Sequence, residues 1–273
     1  MKTNNIRFYV EKRNRLADVL KERFSKRFYR YIKSSQAMIQ VNGQERKLYE
    51  MLEVGDCIEI IYASKTKLME WPEIEQAPEV VFENDHYLVV NKRGGILTIP
   101  TQGNPVSLYQ ELVYYLGNTD IHILNRLDKE TSGLVVVAKD RYAASLLEPT
   151  HKHMIRKYLC LVEGKLSGEG EIKNYITKEE DSNKRYVSNY GQLAISHFKV
   201  IEQLDSETLL EFILDTGRTH QIRVHTSHMG HPIIGDKLYG GKENSALCLT
   251  SYFVEFEDPF TKETICCKID KGW

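Results

Sequence analysis

The chain of 273 residues is long enough for one large domain, or for a large and a small one. Its 41% hydrophobic and 27% charged residues are typical of a globular protein, and no apolar run reaches the length of a membrane helix, which argues against an integral membrane protein. The five cysteines are odd in number, scattered and without a CxxC pair, which favours free thiols in the cytoplasm over a disulfide-bonded secreted protein.

Charge is distributed unevenly along the chain. The net charge is only -1, but residues 1–50 contain 13 Lys and Arg against 5 Asp and Glu, an excess of +8 that leaves -9 for the rest. Such asymmetry indicates a segment that contacts nucleic acid. A solvated helix face would give the same charge pattern.

The first 64 residues have the pattern of a small α/β module. Periodicity predicts two short helices over 15–32, in which basic residues are interleaved with aromatic ones, as suits RNA phosphates with bases nearby. A strand over 38–41 enters the Asn42-Gly43 turn, and a second strand covers 57–62. The candidate RNA-binding residues are Arg23, Lys26, Arg27, Arg30 and Lys33.

This order of elements, with VNG at 41–43 and VGD at 54–56, resembles the alpha-L RNA-binding domain over about residues 13–63. The resemblance implies an RNA-binding domain over 1–64. A linker is predicted over 65–79, where charges mix with two prolines, and a larger domain over 80–273. The alternative is a small domain that only packs on the rest.

Beyond residue 80, many short strands and a few helices predict an α+β domain with a mixed, mainly antiparallel sheet. The predicted strands cover 80–82, 87–90, 134–138, 156–162, 194–200 and 208–214. The predicted helices cover 108–116, 142–147 and about 219–229. Residues 178–185 (KEEDSNKR) are predicted to form an exposed charged loop.

The central feature of this domain is Asp128, which lies between Arg126 and Lys129 on a loop before the buried strand over 134–138. A loop that enters a buried strand is held by a rigid scaffold, where reactive side chains tend to lie. A buried carboxylate needs a cationic partner. Arg223 and Arg218 are the candidates, because a guanidinium stays charged when buried and binds carboxylates with two bonds.

Four histidines in the same region raise the alternative of a metal site: His220, His225, His228 and His231. The spacing places His225 and His228 on one helix face. However, the sequence contains no HExxH motif, and no carboxylate lies between the histidines. Hydrogen bonds in the core and contacts with RNA are therefore favoured over a metal.

Four motifs, in family order, resemble the RluA-like pseudouridine synthases over residues 80–273. They are NRLDKETSG at 125–133, the Lys-Tyr pair at 157–158, TGRTHQIR at 216–223 and HPIIGD at 231–236. The resemblance implies a monomeric enzyme that converts uridine in structured RNA to pseudouridine and needs neither cofactor nor metal. Ribosomal RNA is the preferred substrate and transfer RNA the alternative.

The resemblance also implies a role for individual residues. Asp128 matches the catalytic aspartate, Tyr158 the tyrosine that packs on the target base, and Arg223 the basic residue that pairs with the aspartate. Arg126 matches the arginine that fills the gap left by the flipped nucleotide, and Arg218 is grouped with the substrate-binding residues. Whether Asp128 attacks the sugar, attacks the base or removes a ribose proton stays open.

Two positions depart from the family pattern. Asn125 stands where the family usually has His, and it is still expected to anchor the loop. Residues 92–95 (KRGG) replace Lys-Pro-Ala-Gly, which predicts a looser turn.

Each site residue has a plainer interpretation on its own, as a turn cap, a strand residue or a surface cation, and only their joint occurrence favours an enzyme. Two competing hypotheses are an RNA-binding assembly factor with an inactive catalytic domain, and a metal-dependent hydrolase.

Overall fold

The computed structural model describes residues 3–34, 37–63, 74–101, 106–147 and 154–273. Its helices are α1 (Leu16–Arg23), α2 (Lys26–Ser34), α3 (Leu108–Leu116), α4 (Arg141–Leu147) and α5 (Gln221–His228). None of the helices in these ranges combines the length and apolar character that a membrane span requires.

The strands fall into an N-terminal and a larger C-terminal group. The first comprises β1 (Thr3–Tyr9), β2 (Asn14–Arg15), β3 (Met38–Val41), β4 (Gln44–Glu45), β5 (Met51–Leu52) and β6 (Cys57–Ala63). The second comprises β7 (Glu79–Glu83), β8 (Tyr87–Lys92), β9 (His122–Ile123), β10 (Ser132–Ala138), β11 (Ile155–Glu163), β12 (Glu169–Lys178), β13 (Arg185–Ser188), β14 (Gln192–Gln203), β15 (Glu207–Leu214), β16 (Leu249–Glu257) and β17 (Thr264–Lys268).

The N-terminal strands form a small sheet in the order β1-β6-β3-β4, against which α1 and α2 pack. Each helix buries two apolar residues one turn apart, Leu16 and Leu20 on α1 and Phe28 and Ile32 on α2, and Phe24 between the helices is also buried. This spacing turns an apolar face of each helix toward the sheet. The local sequence pattern does not predict strand β1.

The predicted linker over 65–79 lies largely outside the described residues, and the proposed domain boundaries stay predictions.

The larger sheet has the order β13-β12-β14-β15-β11-β16-β10-β8-β7, with β17 added to β16 and β9 to β10. The pair β10–β16 is parallel, and the other strand pairs described in this sheet are antiparallel. The predicted α+β class with a mixed, mainly antiparallel sheet is therefore confirmed.

Strand β10 lies inside this sheet and is covered on both faces. Val135 and Val137 belong to the apolar cluster that includes α3, whereas Leu134 and Val136 belong to the cluster that includes α4. Burial on both faces explains why the sequence shows a continuous apolar run and no alternation. The strand therefore gives the loop before it a rigid base.

The first residues of β10 differ from the sequence pattern. The run Thr-Ser-Gly at 131–133 favours a turn, but Ser132 and Gly133 already pair with Thr250 and Ser251 of β16. Gly133 has a φ of 115°, and a side chain added there would overlap the Ser251 backbone. The close approach of two backbones therefore requires glycine at this position.

The N-terminal module packs against α4 of the larger part. Tyr142 contacts Phe24 with ring centroids 5.9 Å apart, and the Arg141 guanidinium lies 4.3 Å from the centre of the Tyr31 ring. The Ser25 amide donates a hydrogen bond to the Ser145 carbonyl, at 3.2 Å. These contacts set the position of α2 relative to the large sheet.

We expect Gly133→Ala to lower the free energy of unfolding by about 2–5 kcal/mol, because it adds overpacking to an unfavourable positive φ. Urea unfolding measures the change. The matched control is Gly168→Ala, where φ is 78° but the space around a new Cβ is open. The control should lose only the backbone contribution, about 1–2 kcal/mol. Equal losses in both variants would contradict the packing argument.

Candidate active site

The carboxylate of Asp128 and the guanidinium of Arg223 face each other between the β9–β10 loop and α5. Arg223 Nη1 lies 3.7 Å from Asp128 Oδ2. The Arg223 side chain is 7% exposed and the Asp128 side chain 25%, so the cation is buried and the carboxylate is open to solvent on one side. The candidate pairing of these two residues is thus present in the fold.

Arg223 makes its strongest contacts with a different carboxylate, that of Asp236. Its Nε and Nη2 donate hydrogen bonds to Oδ2 and Oδ1 of Asp236, both at 2.7 Å. Asp236 is 1% exposed and also accepts hydrogen bonds from the amides of Leu238 and Tyr239, each at 3.2 Å. The two-bond contact fixes the guanidinium plane and leaves Nη1 directed at Asp128.

The sequence pattern marks Asp236 only as the last residue of the HPIIGD motif. A usable signal for its role is present, since a buried arginine needs a carboxylate for its two-bond contact and few other acids lie near α5 in the sequence. Burial alone would lower the pKa of Arg223, but the hydrogen bonds and charge of Asp236 outweigh that effect and raise it. The guanidinium therefore stays charged.

Arg218, the other candidate partner of Asp128, points elsewhere. Its Nε donates a hydrogen bond to the Leu193 carbonyl at 2.9 Å, and within the described ranges it forms no ion pair with Asp128. The expectation that Arg218 could replace Arg223 in this pair is wrong, because the side chain lies on the side of β14. Its assignment to substrate binding stays a prediction.

The start of α5 lies within two residues of the predicted helix start at 219. The residue before the helix is His220, at φ 58°, and no side chain caps the helix there. Instead, the side chain of Gln221 accepts hydrogen bonds from the Thr216 hydroxyl at 2.8 Å and the Arg218 amide at 3.0 Å. The turn before α5 is thus closed by the first residue of the helix.

Asn125 anchors the loop that carries Asp128. It is 4% exposed, its Nδ2 donates to the Leu134 carbonyl at 3.1 Å, and its Oδ1 accepts from the Val136 amide at 2.7 Å. The expectation that Asn can anchor this loop in place of His is confirmed.

A second anchor comes from Thr98. Its hydroxyl donates to the Leu127 carbonyl at 2.7 Å and accepts from the Leu127 amide at 3.1 Å. Both backbone polar groups of Leu127, the residue before Asp128, are therefore held by one side chain.

Lys92 provides a third anchor that the sequence did not reveal. Its buried ammonium donates to the carbonyls of Arg93, Ile96 and Lys129, at 2.9, 2.9 and 3.1 Å. Burial lowers the pKa of Lys92 to about 8, although the nearby Asp128 carboxylate opposes this shift. This ammonium joins the turn at 92–95 to the loop that carries Asp128, and the looser turn stays a prediction.

Tyr158 lies on β11 and is 7% exposed. Burial raises the pKa of its phenol, with a smaller contribution in the same direction from the charge of Asp128. The phenol therefore stays protonated and lies within electrostatic reach of the carboxylate. Arg126 is exposed on the same loop, two residues before Asp128.

Three of the four histidines near α5 have separate hydrogen-bond partners. His225 contacts the Ser196 hydroxyl at 3.0 Å, His231 donates to the Glu163 carbonyl at 2.7 Å, and His220 contacts the Tyr239 hydroxyl at 2.9 Å. Burial lowers the pKa of His225 to about 4. In the part of the chain that the structure describes, no three His, Cys, Asp or Glu side chains form a group that could hold a metal ion.

The predicted RNA-binding residues divide into two groups. Four of them have exposed side chains on α2, namely Lys26, Arg27, Arg30 and Lys33. Arg23 is different, because its guanidinium lies 4.2 Å from the centre of the Phe8 ring and is partly buried. Its contact with RNA stays a prediction, and its visible role is packing within the module.

Comparisons with known proteins show the family to which this chain is related. The family model described as RNA pseudouridylate synthase matches residues 86–228, which include Asp128, Tyr158 and Arg223. The solved structure of human RNA pseudouridylate synthase domain containing 1 is similar in fold, with a TM-score of 0.62 at 24% identity, covering 74% of this chain and 86% of that one.

Two curated relatives extend the similarity over most of the chain. The uncharacterized RNA pseudouridine synthase YjbO of Bacillus subtilis is 35% identical over 253 residues, covering 88% of this chain and 89% of its own. The ribosomal large subunit pseudouridine synthase D of Xanthomonas campestris is 33% identical over 234 residues, covering 83% of this chain and 70% of its own. The chain belongs to the RNA pseudouridine synthases, enzymes that isomerise uridine in RNA.

Proposed function

We propose that this enzyme isomerises specific uridines in structured RNA with Asp128 as its catalytic carboxylate and without a cofactor. The observation that carries the proposal is the pair formed by a solvent-accessible carboxylate and a buried guanidinium 3.7 Å away. The charge of Asp128 also acts on the buried Tyr158 phenol. RNA is the proposed partner, and the enzyme is proposed to act as a monomer in the cytoplasm.

The chemistry needs no external reagent. The bond between uracil N1 and ribose C1′ breaks, a bond between uracil C5 and C1′ forms, and the C5 proton leaves while N1 gains one. Substrate and product have the same atoms and the same oxidation state. A positioned carboxylate that acts as a nucleophile or a base supplies what the reaction requires.

The residues around Asp128 have complementary tasks in this proposal. The target uridine must leave the RNA stack to reach a pocket, and Arg126, which is exposed, is proposed to occupy the gap. Arg223 keeps Asp128 oriented, because its own plane is fixed by Asp236. The Tyr158 ring offers a flat face for the flipped base, and such stacking contributes about 1–3 kcal/mol.

Ribosomal RNA is the preferred substrate class, and the Xanthomonas relative named for the large ribosomal subunit supports it. Deletion of the gene followed by mapping of pseudouridines across total RNA identifies the target. Loss of a pseudouridine from ribosomal RNA supports the preferred substrate class. Loss of one from transfer RNA makes transfer RNA the substrate instead.

Asp128→Asn removes the charge while keeping the shape of the side chain. We expect turnover to fall by at least about 10³-fold, while RNA affinity changes little. The release of tritium from C5-labelled uridine in RNA measures turnover.

Glu130→Gln, which changes an exposed acid on the same loop, is the matched control and should keep its activity. Full turnover by the Asp128 variant would exclude Asp128 as the catalytic group. If the wild type releases no tritium from any RNA, the hypothesis of an inactive assembly factor is favoured instead.

Asp236→Asn tests the support of Arg223. The change leaves a buried guanidinium without its anionic partner, which costs about 3–5 kcal/mol of unfolding free energy. Urea unfolding should show this loss, and kcat should fall more than KM rises because Asp128 loses its orientation. Asp215→Asn, in the turn before α5, is the exposed control. A variant with normal stability and kcat would contradict the proposed support.

The exposed cations of α2 are proposed to contact RNA phosphates. Lys26→Gln with Arg30→Gln should reduce the slope of log affinity against log salt by about 0.7–0.9 for each RNA phosphate that the variant no longer neutralises. The matched control, Lys199→Gln with Lys268→Gln, removes the same charge from exposed positions on β14 and β17. If both double variants show the wild-type slope, α2 does not bind the RNA.

The metal-dependent alternative has a direct test. Elemental analysis of the purified protein would favour it if zinc or manganese were bound in stoichiometric amounts.

A further inference from the structure

A second concave site lies beside the catalytic pair, between the β12–β13 hairpin and the turn that precedes α5. Its volume is about 300 Å³. Three cationic side chains line it, those of Lys178, Arg185 and Arg218. The uncharged polar side chains of the lining are Thr177, Gln192 and Thr219, and the lining contains no Asp or Glu.

The strand pairing concentrates positive charge at this site. The sequence predicts an exposed loop over 178–185, but the ends of that segment pair directly, with Lys178 opposite Arg185. Like charges at directly opposite positions of an antiparallel pair destabilise it. The free protein therefore bears an electrostatic cost that a bound anion would offset.

The third cation, Arg218, is fixed by its own hydrogen bond to the backbone. Its Nε donates to the Leu193 carbonyl at 2.9 Å, which leaves the two Nη groups for another acceptor. Arg185 Nη1 approaches only the carbonyls of Asn183 and Lys184, at 3.4 and 3.3 Å. Within the described residues, none of the three cations forms an ion pair with a carboxylate.

The pocket is joined to the catalytic pair through shared neighbours. The Arg185 amide donates to the Tyr239 hydroxyl at 2.9 Å, and that hydroxyl contacts His220 at 2.9 Å. The Arg223 guanidinium lies 5.0 Å from the centre of the same Tyr239 ring. The residues that line the pocket therefore adjoin those that hold Asp128 in place.

We infer that this pocket binds a phosphate group of the RNA strand close to the flipped uridine, an inference that rests on the proposed function. Guanidinium groups bind phosphate oxygens with two parallel hydrogen bonds, and a lysine adds a point charge. The adjacent hydroxyl and amide groups can donate to the remaining oxygens. In this inference, the strand whose uridine reaches Asp128 passes the pocket, and the phosphate contact sets the register of that strand.

The test compares two lysines on the same strand. Lys178→Gln removes a pocket cation, and Lys173→Gln removes another exposed lysine five residues earlier, outside the pocket lining. Binding of a short fluorescein-labelled single-stranded uridine-containing RNA is measured over a range of salt concentrations. For Lys178→Gln we expect the slope of log affinity against log salt to fall by about 0.7, the value for one phosphate on a single strand. For Lys173→Gln we expect the slope to stay at the wild-type value.

Turnover provides the second readout. Lys178→Gln should raise KM several-fold and leave kcat at saturating RNA unchanged, because the chemistry at Asp128 is untouched. The double variant with Arg185→Gln should also lower the salt slope by about 0.7, because the pocket binds one phosphate. Melting temperatures of all variants in the absence of RNA verify that they fold.

The outcomes separate this inference from the proposed function. If Lys178→Gln matches Lys173→Gln while the wild type still releases the C5 hydrogen, the pocket does not bind RNA and the assignment of Asp128 stands. If inorganic phosphate raises the melting temperature of the wild type but not of the double variant, and the RNA salt slopes are equal, the site takes a free oxyanion and the RNA inference is overturned. If the wild type binds RNA with the expected slopes but releases no C5 hydrogen, the proposed function fails and the pocket stands.

Discussion

The buried contact between Arg223 and Asp236 is the interaction on which the site depends. A guanidinium that is 7% exposed is tolerated only because Asp236 neutralises it and accepts two of its hydrogen bonds at 2.7 Å. The remaining Nη1 then has one direction available, toward Asp128. An ion pair of 3.7 Å with a partly exposed carboxylate would be weak by itself, but here one partner is already fixed.

The loop that carries the carboxylate is fixed by hydrogen bonds to its backbone. Asn125 and Thr98 hold the backbone before it, and the Lys92 ammonium holds the carbonyl of Lys129 after it. A displacement of about 1 Å at a reacting group can cost about 10²-fold in rate. Anchors on both sides of Asp128 and a fixed arginine opposite it therefore form one rigid arrangement.

Two groups of cationic side chains lie outside the Asp128 site, one on α2 and one in the pocket. The docked N-terminal module presents the exposed cations of α2, and aromatic contacts with Tyr142 of α4 determine where they lie. The pocket of Lys178, Arg185 and Arg218 is connected to the Asp128–Arg223 pair through Tyr239. The α2 cations would then attract RNA over a long range, and the pocket would set the register of the RNA strand. Both effects depend on local groups of cations, because the net charge of the whole chain is only -1.

The local sequence pattern alone determined many of the secondary-structure elements of this protein. The buried strand 134–138, helix 108–116 and the Asn-Gly hairpin follow from periodicity and turn chemistry. Asp128 and Arg223 are candidates from charge pairing, and Tyr158 from the family resemblance. Only the tertiary structure decided which carboxylate Arg223 grips, that Arg218 turns away to Leu193, and that Lys178 meets Arg185. The physical reason is that a side chain's partner depends on strand order and on the direction of each backbone, which bring together residues distant in the chain and leave no trace in local spacing.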